Sequence, residues 1–134
     1  MLVAPNAEGT AHAVSLNPRT AENPHGYHRL IGGGVEVGET HREAILREVR
    51  EELSAAILDL RFLGVVENIF LIDGEPGHEI VFVYTGHLDP EPAANASLIE
   101  SDGSILPIVW RPFDDSEERL PLYPDEVRPL LEHP

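Results

Sequence analysis

Three glutamates lie close together in the stretch REVREE, and their spacing would allow their carboxylates to act together. Glu48, Glu51 and Glu52 are related by i, i+3 and i+4, so a helix would carry all three carboxylates on one face. Like charges this close destabilise an isolated helix by a few tenths of a kcal/mol per pair. A divalent cation would offset that repulsion, because hard cations select oxygen ligands.

The sequence predicts the helix that positions these carboxylates at about residues 40–54. Thr40 followed three residues later by Glu43 is a capping-box pattern, which marks a helix start. An apolar stripe at helical spacing follows it, formed by Ile45, Val49 and Leu53. The glutamates adjoin this stripe, and we therefore expect them to border a cleft. Arg47 is spaced to orient Glu43 or Glu51 by a charge-assisted hydrogen bond.

An acidic helix is most often only a solvated surface, but the residues upstream favour a site. From Gly33 to Glu52 the chain reads G-x5-E-x7-R-E-V-x-E-E, with Glu39, Arg47 and the three glutamates at the identity positions. This pattern, within residues 33–55, resembles the signature of the Nudix hydrolase family. The resemblance implies an α/β fold, namely a Nudix-type α/β/α sandwich around a mixed sheet, in one domain spanning residues 1–134.

The resemblance also implies a chemistry and a catalytic set. In it, Glu48, Glu51 and Glu52 bind Mg²⁺ or Mn²⁺, with the backbone carbonyl of Gly32 as a further ligand. Metal-activated water then attacks one phosphorus of a nucleoside diphosphate that is linked to another group. The expected catalytic residues are Arg47, Glu48, Glu51, Glu52 and Glu79, and the candidates for the general base are Glu48, Glu79 and Glu100.

The expected substrate-binding residues surround the glycine-rich loop. Arg29, just before it, could contact a phosphate or a base, although a surface arginine on a strand is an equal alternative. Gly33, Gly34 and Glu39 complete the expected set. Leu71 and Asp73 stand where family members that use ADP-ribose or dinucleoside polyphosphates carry Pro or Tyr. A nucleoside triphosphate or a nucleotide sugar therefore stays open as the substrate.

One residue departs from the family pattern. Ser54 stands where the family usually has the glycine that ends the helix in a left-handed conformation. A non-glycine residue in that conformation costs about 1 kcal/mol. The departure puts the helix ending in question and leaves the carboxylates untouched.

The remaining elements follow from residue patterns. Residues 5–26 are rich in turn formers and read mostly as loop, with a short apolar stretch at 11–16. Strands are predicted at 27–31 and 105–113, and a hairpin at 60–72 and 79–88 with DGEPGH as its turn and a bulge at Gly64. Residues 89–103 are predicted to be a loop, and 124–132 a short helix.

Composition limits the possible partners and chemistry. The 134 residues carry a formal net charge of -15, which disfavours binding to nucleic acid and to anionic membranes. The chain contains no Cys, and all nine of its basic residues are Arg, so thiol nucleophiles, disulfides and Schiff-base lysines are excluded. No window approaches the length of a membrane span and no leader pattern is evident, so we expect a cytoplasmic protein.

The N-terminus predicts an incomplete sheet. Family domains usually open with a full strand, whereas here Met1, Leu2 and Val3 are followed almost at once by Pro5. The first strand is therefore expected to be a three-residue remnant or absent. A sheet edge left open in this way favours association, so a homodimer is expected. A start shortened relative to the natural one is the alternative.

Two rival functions belong to other classes. The first is a Nudix-fold module that senses a nucleotide without cleaving it, which does not need all three of Glu48, Glu51 and Glu52. The second is an acidic interaction domain, which leaves the spacing from Gly33 to Glu39 unexplained. The function expected from the sequence is therefore a metal-dependent pyrophosphohydrolase.

Overall fold

The computed structural model describes residues 1–132 of the chain. Its elements in chain order are β1 Leu2–Val3, β2 Ala11–Asn17, β3 Tyr27–Leu30, α1 His41–Leu53, β4 Ala56–Ile72, β5 Glu75–Asp89, β6 Ser97–Ile99, β7 Ile105–Pro112, β8 Leu122–Tyr123, a 3₁₀ turn Asp125–Val127 and α2 Arg128–Leu131. No helix within these residues is long and apolar enough to cross a membrane.

The strands form two sheets. One has the order β1-β5-β4 and the other the order β6-β7-β2-β3-β8. β1 runs parallel to β5 and β3 parallel to β8, whereas the other pairs are antiparallel. The predicted α/β class with mixed sheets is confirmed.

Helix α1 forms as the sequence predicts. The Thr40 hydroxyl accepts from the Glu43 backbone N–H, and the Glu43 carboxylate accepts from the Thr40 N–H, so both halves of the capping box are present. Ile45 and Val49 are buried on the face that packs into the core. The helix ends at Ser54, which adopts the left-handed conformation with φ 53° and ψ 39° while its N–H donates to the Arg50 carbonyl.

The β4–β5 hairpin is longer than predicted. Only Asp73 and Gly74 form its turn, both at positive φ, as expected for a two-residue hairpin turn. The prediction that all of DGEPGH is turn is wrong, because Glu75 to His78 pair with the end of β4. The bulge predicted at Gly64 is confirmed by the register shift between Phe62 and Gly64.

Residues 5–26 are mostly loop as predicted, and the short apolar stretch predicted at 11–16 forms strand β2. This strand lies between β3 and β7 in the larger sheet and is almost entirely buried. Its residue types are weak strand formers, and its pairing with two distant strands outweighs that local preference.

The open edge behind the homodimer expectation is also absent. β1 pairs with Tyr84 and Thr85 of β5 on one side. On its other side the Leu2 N–H donates to the Ile31 carbonyl at 2.7 Å, and the Ala13 N–H donates to the Ala4 carbonyl at 2.9 Å. The homodimer stays a prediction, but the open sheet edge at the N-terminal strand that suggested it is not present in the described residues.

The strands predicted at 27–31 and 105–113 are confirmed as β3 and β7. The loop predicted at 89–103 contains β6, and β8 was not predicted. The helix predicted at 124–132 is in fact a 3₁₀ turn followed by the four-residue α2.

The core has two clusters separated by the β1 segment. Leu2 packs in the cluster beneath α1, with Ile31, Ile45 and Val49. Val3 packs in the other cluster, because successive side chains of a strand point to opposite faces. At the start of α1, His41 stacks on Phe82 of β5, with ring centroids 4.1 Å apart.

Candidate functional site

Arg47 is the centre of the site. Its guanidinium donates from Nε and Nη2 to the two carboxylate oxygens of Glu39, at 2.7 and 2.9 Å. Its Nη1 donates to Glu48 and to Glu51, each at 3.1 Å, and its Nη2 also donates to the Gly34 carbonyl at 3.1 Å. One side chain therefore ties the loop before α1 to the acidic face of that helix.

Glu39 is held ionised by this arrangement. Its hydrogen bond with Arg47, together with one from the Glu36 backbone N–H, lowers its pKa to about 2. The same contact raises the pKa of Arg47. Glu39 therefore serves as an anchor for Arg47 across the whole physiological pH range.

Gly33 lies directly against Glu48. A Cβ on Gly33 would stand 2.9 Å from each of the three carboxyl atoms of Glu48. Only a glycine lets this carboxylate lie so close to the loop backbone. Gly32, at φ 120°, is also confined, since a Cβ added there would lie 2.8 Å from Ile45 Cδ1.

Glu52 is the buried carboxylate of the three. It is 8% exposed, and its pKa is raised by burial, by a hydrogen bond with Glu48 and by the charges of Glu100 and Glu48. A hydrogen bond between two carboxyl groups requires a proton. A cation in that position would remove the need for it.

The donor set fits a divalent cation in type, and two of the carboxylates converge. Glu48 lies close enough to Glu52 to raise the pKa of Glu52, whereas the Glu51 carboxylate is bound to Arg47 and its side chain is 60% exposed. Within residues 1–132, no group of three His, Asp or Glu side chains is assembled closely enough to hold a metal ion.

Arg29 lies between the glycine loop and the interior. Its Nη1 donates to the Gly32 carbonyl at 3.3 Å, so the carbonyl expected to bind a metal is already an acceptor for this guanidinium. Arg29 lines two cavities, one of about 260 Å³ and one of about 110 Å³. The smaller cavity is bordered by Gly33 and Gly34 of the loop and by His41 of α1.

Glu79 also lines both cavities, and Glu100 lines the larger one. Glu79 lies inside β5, not at its start as the sequence suggested, because the hairpin strands extend beyond the predicted turn. Its carboxylate accepts from the Asn68 amide at 2.9 Å. Glu100 lies close enough to Glu52 to raise its pKa, and Glu79 borders the smaller cavity beside Gly33 and Gly34.

The sequence interpretation missed the walls of the larger cavity. Besides Arg29, Glu79 and Glu100, these are formed by Asn17, Asn23, Tyr27, Asn68, Phe70, Leu71, Ile72 and Tyr123. Only Asn68 could have been noticed in the sequence, because it is a single amide within the largely apolar segment that forms β4, where it is buried. The others come from segments whose proximity only the fold reveals.

Comparisons with known proteins agree with this geometry. A family model described as NUDIX domain matches residues 5–132 of the chain. The Mycobacterium tuberculosis (strain CDC 1551 / Oshkosh) protein carrying the name mutator protein MutT4 is 30% identical over 99 residues, which is 74% of this chain and 38% of that protein. The chain thus spans less than half of that relative's length.

Two solved structures share the fold. The crystal structure of a MutT NUDIX hydrolase from Burkholderia pseudomallei is 28% identical, with a TM-score of 0.68 over 98% of this chain and 93% of that one. The solution structure of the E. coli ORF135 protein, 22% identical, has a TM-score of 0.54 over 98% and 82% of the two chains, and supports the fold alone.

Proposed function

The chain belongs to the NUDIX family, and from this premise we propose that it is a metal-dependent pyrophosphohydrolase. It cleaves the pyrophosphate bond of a nucleoside diphosphate linked to another group, either a nucleoside triphosphate or a nucleotide sugar. The observation that carries this proposal is the Arg47 centre, which joins Glu39, Glu48 and Glu51 beside a glycine loop.

The three carboxylates of α1 have different roles in this proposal. Glu48 and Glu52 would hold the Mg²⁺ or Mn²⁺ ion, and Glu51 would contribute its carboxylate from the rim, where Arg47 orients it. When bound, the metal supplies Lewis acidity at phosphorus and an activated water. In a chain of net charge -15, Arg29 is a guanidinium near the acidic face that can bind a phosphate oxygen.

The general base is one of three carboxylates. Glu48 lies against Gly33 at the acidic face, Glu79 lines both cavities and Glu100 borders the larger one. Replacing Glu79 and Glu100 separately with Gln tests these two candidates, because the variant that lacks the base loses kcat with little change in substrate binding. Glu48 is also a proposed metal ligand, so Glu48→Gln lowers kcat in either role.

The proposed partner is a small nucleotide derivative. The strongly negative charge disfavours nucleic acid and anionic membranes as partners. A cytoplasmic location, as expected from the sequence, belongs to the same proposal.

A hydrolysis screen tests the proposal. Nucleoside triphosphates and nucleotide sugars are incubated with Mg²⁺ or Mn²⁺, and the release of a nucleoside monophosphate is measured. We expect turnover of at least one substrate class, and loss of most of it in Glu51→Gln and in Glu52→Gln. Glu43→Gln is the matched control on the same helix, since Gln preserves the capping box.

Two outcomes would contradict this function. Nucleotide binding without turnover of any substrate would identify a sensor. Equal activity in the wild type, Glu51→Gln and Glu52→Gln would show that these carboxylates do not form the metal site.

A further inference from the structure

Strand β4 is an open edge of its sheet. In the order β1-β5-β4, the β1 side is joined to the other sheet by backbone hydrogen bonds, whereas β4 has a neighbour on one side only. Within residues 1–132, segment 64–72 of β4 pairs with β5 alone, and none of its backbone groups bonds to a loop. Every second N–H and C=O of such a strand faces away from its neighbour. The segment therefore presents a row of free backbone donors and acceptors about 30 Å long, at ~3.3 Å per residue.

This segment lacks the features that usually prevent an edge strand from pairing. Bulges are one such feature, and both register shifts of the hairpin lie earlier in β4, between Leu58 and Arg61 and between Phe62 and Gly64. From Gly64 to Ile72 the register with β5 is unbroken. The segment also contains no Pro and a single charged residue, Glu67. It is therefore a regular strand that a further strand can join.

The solvent face of the segment is apolar. Val66 packs against a core cluster and Asn68 is buried, whereas the alternate residues Val65 and Ile69 are 52% and 65% exposed. The exposed side chains of the two paired strands are Val65, Glu67, Ile69 and Leu71 in β4 and Pro76, His78 and Ile80 in β5. A long edge strand with exposed apolar side chains is a site of association.

The distribution of charge allows a second copy of the chain to approach at this edge. At a formal net charge of -15, two copies repel each other over most of their surfaces. On this face the carboxylate of Glu67 is bonded to His78 of the neighbouring strand at 2.8 Å. The remaining residues of segment 64–72 carry no charge. Local repulsion between two such edges is therefore small.

A second copy of the same strand is complementary to this edge. Two identical strands related by a twofold axis run antiparallel, and each supplies the donors and acceptors that the other lacks. With the axis at Asn68, the whole of segment 64–72 pairs. Val65 then lies opposite Leu71 of the other copy, and Glu67 opposite Ile69, so apolar side chains meet and the two carboxylates do not face each other. Each copy uses its open edge in this contact, so assembly stops at two.

We propose that the protein forms a homodimer in which segment 64–72 of β4 pairs antiparallel with the same segment of a second copy. The two three-stranded sheets then form one continuous sheet across the twofold axis. The inference goes beyond the proposed hydrolysis and does not depend on it. Neither Val65 nor Ile69 lines either of the two cavities, so a substitution at these positions leaves the cavity walls in place.

Two substitutions of one residue test the interface and its register. Ile69→Glu places a carboxylate opposite Glu67 of the other copy, so we expect the Kd of the dimer to rise at least about tenfold. Ile69→Lys places a cation opposite the same carboxylate, and the Kd should stay within about threefold of the wild-type value. Ile105→Glu is the matched control, because Ile105 is 66% exposed, Ile69 is 65% exposed, and the two lie in different sheets. Sedimentation velocity and light scattering at micromolar concentrations measure the Kd.

Two further measurements use the wild type. Raising the NaCl concentration should lower the Kd of the dimer, since salt screens the repulsion between two acidic copies. Alternate backbone amides of segment 64–72 should exchange hydrogen more slowly at high protein concentration than at low, because pairing protects them.

Several results would overturn the inference. These are a wild type that stays monomeric at every concentration, a dimer that Ile69→Glu leaves intact, a dimer that Ile105→Glu weakens as strongly, and assemblies that grow beyond two copies. A dimer without slower exchange in segment 64–72 would show that another surface forms the contact. None of these results bears on hydrolysis, which the substrate screen tests separately.

Discussion

At the scale of single residues, the site depends on the shape of one guanidinium. Arg47 binds Glu39 through two parallel hydrogen bonds while still reaching Glu48 and Glu51. A lysine offers a single point charge and cannot reproduce this fork. The two basic residues are therefore not equivalent at this position.

We predict that Arg47→Lys lowers kcat/KM at least tenfold, which corresponds to about 1.4 kcal/mol of transition-state stabilisation. It should also lower the Tm, since Glu39, Glu48 and Glu51 lose part of their common partner. Arg50→Lys, exposed on the same helix, is the control for kinetics and calorimetry. Equal effects of the two substitutions would argue against the Arg47 centre.

Glu52 leads to a prediction on stability without metal. Its raised pKa means that the folded state favours the protonated form, so ionisation costs stability as the pH rises above 4.5, the ordinary pKa of a glutamate. A glutamine mimics the protonated form. In EDTA at pH 8, we expect the Tm of Glu52→Gln to equal or exceed that of the wild type, with the difference shrinking toward pH 5. A clearly lower Tm at pH 8 would contradict this account, and Glu43→Gln again serves as control.

At the scale of elements, the end of α1 carries a local strain. Ser54 adopts φ 53°, a conformation that costs a residue with a side chain about 1 kcal/mol relative to glycine. The helix forms in spite of it, because the capping box and the buried stripe hold the rest.

We predict that Ser54→Gly raises the free energy of unfolding by up to about 1 kcal/mol, or the Tm by a few degrees. Ser54→Ala keeps the Cβ and should bring no such gain. Chemical denaturation of the two variants checks this, and identical stabilities would show that the left-handed conformation is not the source of the strain.

The elements differ in whether they could be predicted from the sequence. Helix α1 could be predicted because its capping box and apolar stripe are local signals. Strand β2 could not, since its residues become a strand only through pairing with β3 and β7. The acidic face could be predicted from spacing on one helix. The cavity could not, because Asn23, Asn68 and Tyr123 meet only in the folded chain.

At the scale of the whole molecule, acid stability is linked to two buried histidines. His12 is 1% exposed, and burial together with the nearby Arg111 lowers its pKa from 6.5 to about 4. The pKa of His28 is lowered for the same reasons, and its Nδ1 faces Arg111, which can only donate. Below pH 6.5 the unfolded chain takes up protons that the folded chain does not. The contribution of these two neutral histidines to the free energy of unfolding is therefore fully present above pH 6.5. It is lost as the pH falls below that value.

We predict that His12 alone accounts for a loss of about 2 kcal/mol between pH 6.5 and pH 5, at 1.36 kcal/mol per pH unit. In His12→Gln this part of the decline should disappear, whatever the stability of the variant at neutral pH. Denaturant unfolding at several pH values measures the slope, with His25→Gln, at an exposed position, as control. An unchanged slope in His12→Gln would rule out the histidine.

The first strand has a consequence for the order in which the molecule can assemble during synthesis. Leu2 and Val3 are fully buried, yet they pair with Tyr84 and Thr85, which the ribosome adds more than eighty residues later. At about 5–20 residues per second, roughly 4–17 s pass between the two events. During that interval the apolar opening segment can pair only on its other side, where Leu2 meets Ile31 and Ala4 meets Ala13. Completion of both core clusters, which meet on either side of this strand, must therefore await β5.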